Sequence, residues 1–442
     1  MVDELKLRGH GSTAGDVEEG RVLEVIPYGK NNETHRGLKS RHIQLIAIGG
    51  TIGTGLFVGS GSILAAAGPA GMLIAYIWMS ILVWFITLDL GEMTAYMPIK
   101  GLTVPYMIKR FVEPSLAFAI GWNYWIAFGI TMGAEATAAS LVIEYWGSPV
   151  NPAVWIAIVL AVCLLLNMTA VSLFGEAEFW FASIKILTIV GLIMLGIVLF
   201  FGGGPSHDQL YFRYWSTPGA FNTYLVGGET GRFLGVWYAM IRAAFSFILS
   251  PELLTMTAGE CEAPRRNIPK ATRRFIYRLL TFYVLGTLVI GVTVRFDDSA
   301  LLSAISQSAS NAAASPYVIA IQNAGIPILN HIMNAVILTS AWSSGNSFLY
   351  AASRMLYGMA CSGDAPKIFC RCTKNGVPYY AVLASFCLGF LSFLNVSNTG
   401  GEVFNWLTSI VVGNGFISWI AILITYIVRP WLVYYFAILQ GD

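Results

Sequence analysis

Ten stretches of roughly twenty mostly apolar residues decide what this chain can fold into. They run over 44–66, 71–97, 116–143, 152–174, 180–201, 233–259, 275–294, 328–352, 378–398 and 402–428. Inside a bilayer a backbone N–H or C=O finds no water. A spanning segment must therefore satisfy its own hydrogen bonds, which a helix does within one segment. The sequence predicts an all-α polytopic membrane protein. Its charge supports this: 11% of the 442 residues are charged, against about 25% in an ordinary soluble domain. Residues 1–43 read as a polar cytosolic tail without the apolar core of a cleavable signal. Residues 44–428 read as the transmembrane domain, and 429–442 as a short cytosolic end. The stretch 103–112 is too short to span and reads as an amphipathic helix on the inner surface.

The placement of Lys and Arg sets the orientation. With the N-terminus inside, the inner segments collect 21 of the 26 basic residues, among them Lys39, Arg41, Lys109, Arg110, Arg278, Arg354 and Arg429. Only Arg213, Arg232 and Arg295 fall outside, while Lys185 and Arg242 fall within spans. A miscounted helix in the middle would scramble this separation, so span count and orientation support each other.

Two spans are interrupted. The first holds Gly49-Gly50-Thr51-Ile52-Gly53-Thr54-Gly55. Each glycine costs a helix up to about 1 kcal/mol relative to alanine. Adjacent and two-residue spacings argue for unwinding rather than a small-residue packing face. The sixth holds Phe245-Ser246-Phe247-Ile248-Leu249-Ser250-Pro251-Glu252, where Pro251 removes a donor and either kinks or breaks the helix. If spans 1–5 and 6–10 form two repeats of opposite topology, these breaks occupy matching positions, which points to a transporter's binding site. Free N–H groups at a half-helix start attract a carboxylate, and free carbonyls attract an ammonium. Two broken helices thus suit an α-amino acid.

Ionisable side chains inside a membrane cost about 2.5–3.5 kcal/mol each on insertion scales and mark function. Glu135 sits mid-span in the third helix, Asp89 in the second, Lys185 in the fifth and Arg242 in the sixth. Glu135 is expected to face the substrate cavity. Lys185 is either a structural counter-ion or a group that loses and regains a proton. Arg242 cannot do the latter; one turn before the sixth-span break, it is expected to gate the outer pathway. Glu92 and Glu260 read as interfacial. The five histidines are dispersed and the six cysteines lack ligand spacing. No metal, cofactor, nucleic-acid partner or catalytic residue is expected, and the chain does not read as an enzyme.

The segments Arg36-Gly37-Leu38-Lys39-Ser40-Arg41-His42-Ile43-Gln44 and Ile48 to Phe57 resemble the opening signature of fungal amino acid permeases, in the amino acid–polyamine–organocation superfamily. Gly91-Glu92-Met93, Gly121-Trp122-Asn123-Tyr124-Trp125, Gly175 to Lys185, Thr257-Ala258-Gly259-Glu260, Asn267 to Ala271, Ser353-Arg354 and Asp364-Ala365-Pro366 extend the likeness along nearly the whole chain. The resemblance implies the five-plus-five inverted-repeat (LeuT-type) fold with broken helices 1 and 6, and proton-coupled amino acid uptake at the plasma membrane by alternating access. It implies substrate binding by Thr51, Gly53, Thr54, Gly55, Glu135, Phe245 and Ser246. It also implies proton coupling through Lys185 and Glu135, with gating by Arg242. The sequence is most similar to the proline-type permeases, so proline or another small neutral amino acid is the expected substrate, with protons and the bilayer as the other partners.

The alternatives are an amino acid-sensing, transporter-like receptor and a non-functional truncated permease. The second arises because ten spans fall two short of the family's usual twelve, and Tyr434 to Asp442 resembles the linker to an eleventh. The resemblance leaves the oligomeric state open.

Overall fold

The computed structural model describes residues 38–46, 52–97, 103–205, 207–306, 315–396 and 400–439. Their regular structure is helical, apart from one isolated bridge between Leu38 and Cys261. Helix α1 spans Ser40–Leu45. After Ile52 and Gly53 the chain is helical again from Thr54 and passes through a π-type turn, Gly55–Gly59, into α2, Ser60–Tyr96. Helix α2 is two helices end to end. Gly68 turns the chain at φ 77°, and Pro69 follows it. Proline fits the start of a helix, where its missing N–H has no partner to lose. A Cβ at Gly68 would come within 2.8 Å of the Asn222 nitrogen and 2.9 Å of the Ala220 oxygen, so both backbone sign and space require glycine.

The short amphipathic helix is α3, Thr103–Phe111. Val104, Met107, Ile108 and Phe111 are buried at helical spacing while Arg110 is exposed. Lys109 Nζ lies 3.0 Å from Asp364 Oδ1, tying α3 to the segment after α13. Next come α4 (Pro114–Glu144), α5 (Pro152–Asn167) and α6 (Val171–Phe200). Helix α7, Gly228–Ala244, stops five residues short of α8, Ser250–Met256, and Leu249 between them is left-handed at φ 64°. Pro251 thus sits in the first turn of a new helix, where it is tolerated, rather than inside a kinked one. Helix α9, Pro264–Arg278, runs on through a π-type stretch into α10, Gly286–Thr293. Helices α11 (Ser299–Ser306) and α12 (Pro316–Asn323) precede the long α13, Pro327–Cys361. Helices α14 (Tyr379–Leu388) and α15 (Gly400–Leu439) complete the described chain.

Among the described residues, five helices are long and apolar enough to cross a membrane: Gly55–Tyr96, Pro114–Glu144, Val171–Phe200, Pro264–Thr293 and Gly401–Arg429. The first holds the Gly68 turn. Helix α5 and the helix Tyr379–Asn395 are apolar but shorter. Helix α13 has the length, but Ser340, Ser343, Ser344, Asn346, Ser347 and Ser353 all lie buried along it.

The outer surface is unlike that of a protein surrounded by water. Trp78, Phe85, Trp180, Leu187 and Trp406 are exposed, whereas serines, asparagines and glutamates sit inside. On α6, Lys185 is 1% exposed and Leu187, two residues on, is 73% exposed. A surface of this kind fits hydrocarbon, where an inward polar group must find a protein partner.

One sequence expectation is corrected here. Glu260 is not an interfacial charge, and Arg278 and Arg354 are not free loop cations. The three are 2%, 1% and 3% exposed. Glu260 accepts from Arg354 Nε at 3.1 Å and from the Tyr350 hydroxyl at 2.7 Å. Arg354 lies over the Tyr350 ring, 4.4 Å from its centroid. Arg278 donates to Ser250 Oγ at 3.1 Å and to the Tyr283 hydroxyl at 2.8 Å. Long basic side chains at helix ends reach back into the bundle, which residue counting along a loop cannot register. Beside this cluster, Leu38 N–H donates to the Glu260 carbonyl at 3.0 Å, and Arg41 pairs with Glu176.

Candidate substrate site

A narrow pocket forms where helical geometry lapses, between the segment around Gly53 and the residues joining α7 to α8. Gly53, Gly55, Glu135, Phe245 and Ser246 line it, with Thr131, Ile248, Phe348 and Val411 completing the walls. Among the described residues, two backbone groups beside Gly53 have traceable partners. The Ile52 carbonyl accepts from Ser340 Oγ at 2.7 Å and from Ser344 Oγ at 3.1 Å, both on α13. The Thr54 N–H and hydroxyl point to Glu135 Oε2 on α4, at 3.4 and 3.2 Å. On the other side, the Ser246 carbonyl accepts from the Tyr283 hydroxyl at 2.8 Å. This is the accounting that a bilayer imposes: irregular backbone survives where protein groups replace the missing helix bonds.

The glycines permit close approach. A Cβ on Gly53 would run into Glu135 Oε1 and lie 2.9 Å from Ser344 Oγ. A Cβ on Gly55 would lie 3.0 Å from both Phe245 Cδ1 and Ser246 Oγ. Phe245 meets Phe404 edge-to-face, with ring centroids 6.0 Å apart, so an aromatic wall closes one side of the pocket.

Removing both α13 hydroxyls, Ser340→Ala with Ser344→Ala, leaves the buried Ile52 carbonyl without these donors. The double variant is expected to lose about 1–3 kcal/mol and to unfold at lower temperature in detergent. A wild-type melting curve would show that these serines are not what holds the segment.

Gly53, Thr54, Gly55, Glu135, Phe245 and Ser246, expected together from the sequence, do meet here. Thr51 lies outside the described residues. Arg242, half-exposed on α7, donates to Asn405 Oδ1 on α15 at 2.8 Å. Lys185 does not line the pocket; it is buried in α6 with Glu178 and Glu135 in electrostatic reach. Sequence reasoning did not single out Ser340 and Ser344 or the carboxylates of Glu178 and Glu252. The signal was available as the run Ser343-Ser344-Gly345-Asn346-Ser347 inside an apolar span. Glu252 is held by Trp419 Nε1 at 3.0 Å and the Tyr124 hydroxyl at 3.3 Å.

The sequence profile of the family described as "Amino acid permease" matches residues 42–439. The chain belongs to the amino acid permease family. Among its relatives, the permease is 58% identical over 426 residues to the proline-specific permease of Emericella nidulans, covering 94% of this chain and 78% of that one. It is 49% identical to the proline-specific permease of Saccharomyces cerevisiae (94% and 68% covered). It is 44% identical to the dicarboxylic amino acid permease of the same yeast (91% and 67%). Among solved structures, the nucleobase-cation-symport-1 family transporter Mhp1 aligns with 86% of this chain and 78% of its own, at a TM-score of 0.48 and 13% identity. By its family and its sequence relatives, the permease is a multi-pass membrane transporter of amino acids and not an enzyme.

Proposed function

We propose that the permease takes up proline or another small neutral amino acid, driven by protons, by alternating access at the plasma membrane. The observation that carries this reading is Glu135 seated against the released backbone of Gly53 and Thr54, beside a wall of Phe245, Phe348, Ile248 and Val411. A substrate carboxylate would take the Thr54 N–H and hydroxyl that now face Glu135, and Glu135 would turn to the ammonium. The apolar wall would hold a small ring or alkyl side chain and offers no partner to a second charge. The names of the relatives support proline, and the dicarboxylic relative makes substrate choice a matter for competition. In this reading the helices form ten spans over 44–428 in two inverted five-helix repeats, with helices 1 and 6 broken at the site and the N-terminal tail cytosolic. Arg242, near the end of α7 just before Phe245, gates the site, and Lys185 carries the coupling proton together with Glu135.

The test is uptake of labelled proline in yeast lacking its own proline permeases. Expected are uptake suppressed by excess unlabelled proline but not by lysine or aspartate, and its loss on adding a proton uncoupler. Surface expression without uptake of any amino acid would sink the reading and favour an amino acid receptor.

A further inference from the structure

Two carboxylates outside the pocket are buried, one ion-paired with an arginine and the other within electrostatic range of a lysine on its own helix. Glu260 has Arg354, and a guanidinium does not give up its proton. Glu178, 0% exposed on α6, has Lys185, the cation in its electrostatic reach, and an ammonium can. Seven residues separate Glu178 from Lys185, two turns of one helix, so both face the same side. Lys185 lies within electrostatic range of both Glu178 and Glu135, the latter in the substrate site.

The donors around Glu178 fit two protonation states. Oε1 accepts from Asn346 Nδ2 at 3.2 Å and Oε2 from Ser343 Oγ at 2.9 Å, both on α13. The Asn346 amide is fixed in orientation. Asn167 Nδ2 lies 3.0 Å from the Cys163 carbonyl and 3.2 Å from the Asn346 carbonyl, so that atom must be the nitrogen. The Asn346 atom 2.8 Å from it is then Oδ1, which leaves Asn346 Nδ2 for Glu178. Ser343 is not fixed in this way. A hydroxyl donates to a carboxylate and can rotate to accept from a carboxylic acid. Glu178 therefore keeps a partner for each oxygen with or without a proton.

We propose that Glu178 is a second proton station of the permease, receiving from Lys185 the proton that arrives through Glu135 and releasing it towards the N-terminal end of α6. The transfer turns an ammonium and a carboxylate into an amine and a carboxylic acid. Lys185 is then recharged by a proton from Glu135, and Glu178 by ionising restores the starting charges. Among the described residues, the Cys163 thiol on α5 and Arg278 on α9, which acts on Lys185, are further titratable or charged groups near the pair. His42 on α1 engages Glu176, not Glu178. This inference rests on the proposed proton coupling.

The experiment uses the full chain in proteoliposomes and measures two things: proton-driven accumulation of labelled substrate, and exchange of labelled for unlabelled substrate without a gradient. Exchange carries substrate in both directions and needs no net proton release. Glu178→Gln is expected to lower accumulation by roughly tenfold or more while exchange persists, with the pH profile of the remaining accumulation displaced. Wild-type accumulation in this variant, or equal loss of both activities, would overturn the proposal; the second would make Glu178 a structural clamp. If Glu178→Gln does not reach the membrane, Ser343→Ala decides. A displaced pH profile of accumulation supports the proton station, and an unmoved one overturns it. Should the wild type accumulate substrate without any response to an uncoupler, the coupling reading fails first, which is a separate result.

Discussion

Gly53→Ala is expected to lower the initial rate of amino acid uptake by roughly a hundredfold while the protein still reaches the cell surface. The added methyl would occupy the space of Glu135 Oε1 and press on Ser344 Oγ at 2.9 Å. Two responses are open, and both are costly. If the backbone yields, overpacking of a close-packed site costs about 1–3 kcal/mol. If Glu135 swings away, it loses the Thr54 N–H and hydroxyl, and hydrogen bonds to a charged group are worth about 1.5–3 kcal/mol each. The first response shifts the backbone that would receive a substrate, and the second takes the carboxylate from the position in which it would meet a substrate ammonium. Gly59→Ala is the control, since a Cβ there meets nothing within 4 Å. Uptake normalised to surface protein should separate the two. Equal rates in both variants would show that Glu135 does not stand where the structure has it.

Arg354→Ala is expected to destabilise the permease by about 3–5 kcal/mol, because it strands a buried carboxylate. Total stabilities are of order 5–15 kcal/mol, so little of this variant should accumulate at the surface. Glu260 would keep the Tyr350 hydroxyl but lose its countercharge. Replacing both partners, Arg354→Met with Glu260→Gln, should recover much of the loss, since an uncharged pair has no desolvation penalty to offset. Gel filtration and thermal unfolding in detergent measure both. A single variant as stable as the wild type would mean that the pair is open to water.

The pairing at Glu260 also shows where reading the sequence reached its limit. Hydropathy treats Glu260, Arg278 and Arg354 as charges at the ends of apolar runs, which is the ordinary place for charges. Whether such a side chain points to the interface or folds back into the bundle depends on which helix lies beside it. Tyr350 and Ser250, which receive these groups, come from distant parts of the chain. The candidate site was more legible. Gly53, Thr54 and Gly55 announce themselves because four glycines in seven residues do not suit a helix, and Glu135 because a carboxylate does not suit a bilayer. Ser340 and Ser344 gave a weaker signal. A serine in a membrane helix costs little and can bond to its own preceding turn, so its role in holding the Ile52 carbonyl emerges only once α13 is set against the segment around Gly53.

By itself, then, the sequence determined the helical class, the apolar runs, the irregular backbone near Gly53 and Pro251, and the family. These are local properties, fixed by whether a residue can tolerate lipid or a helical backbone. The tertiary structure decided which released backbone group meets which side chain. It also decided that Ser340 and Ser344 of α13 hold the Ile52 carbonyl, and that Glu260 pairs with Arg354. Those outcomes depend on pairings between helices far apart in the chain, and no period or composition along one segment encodes them.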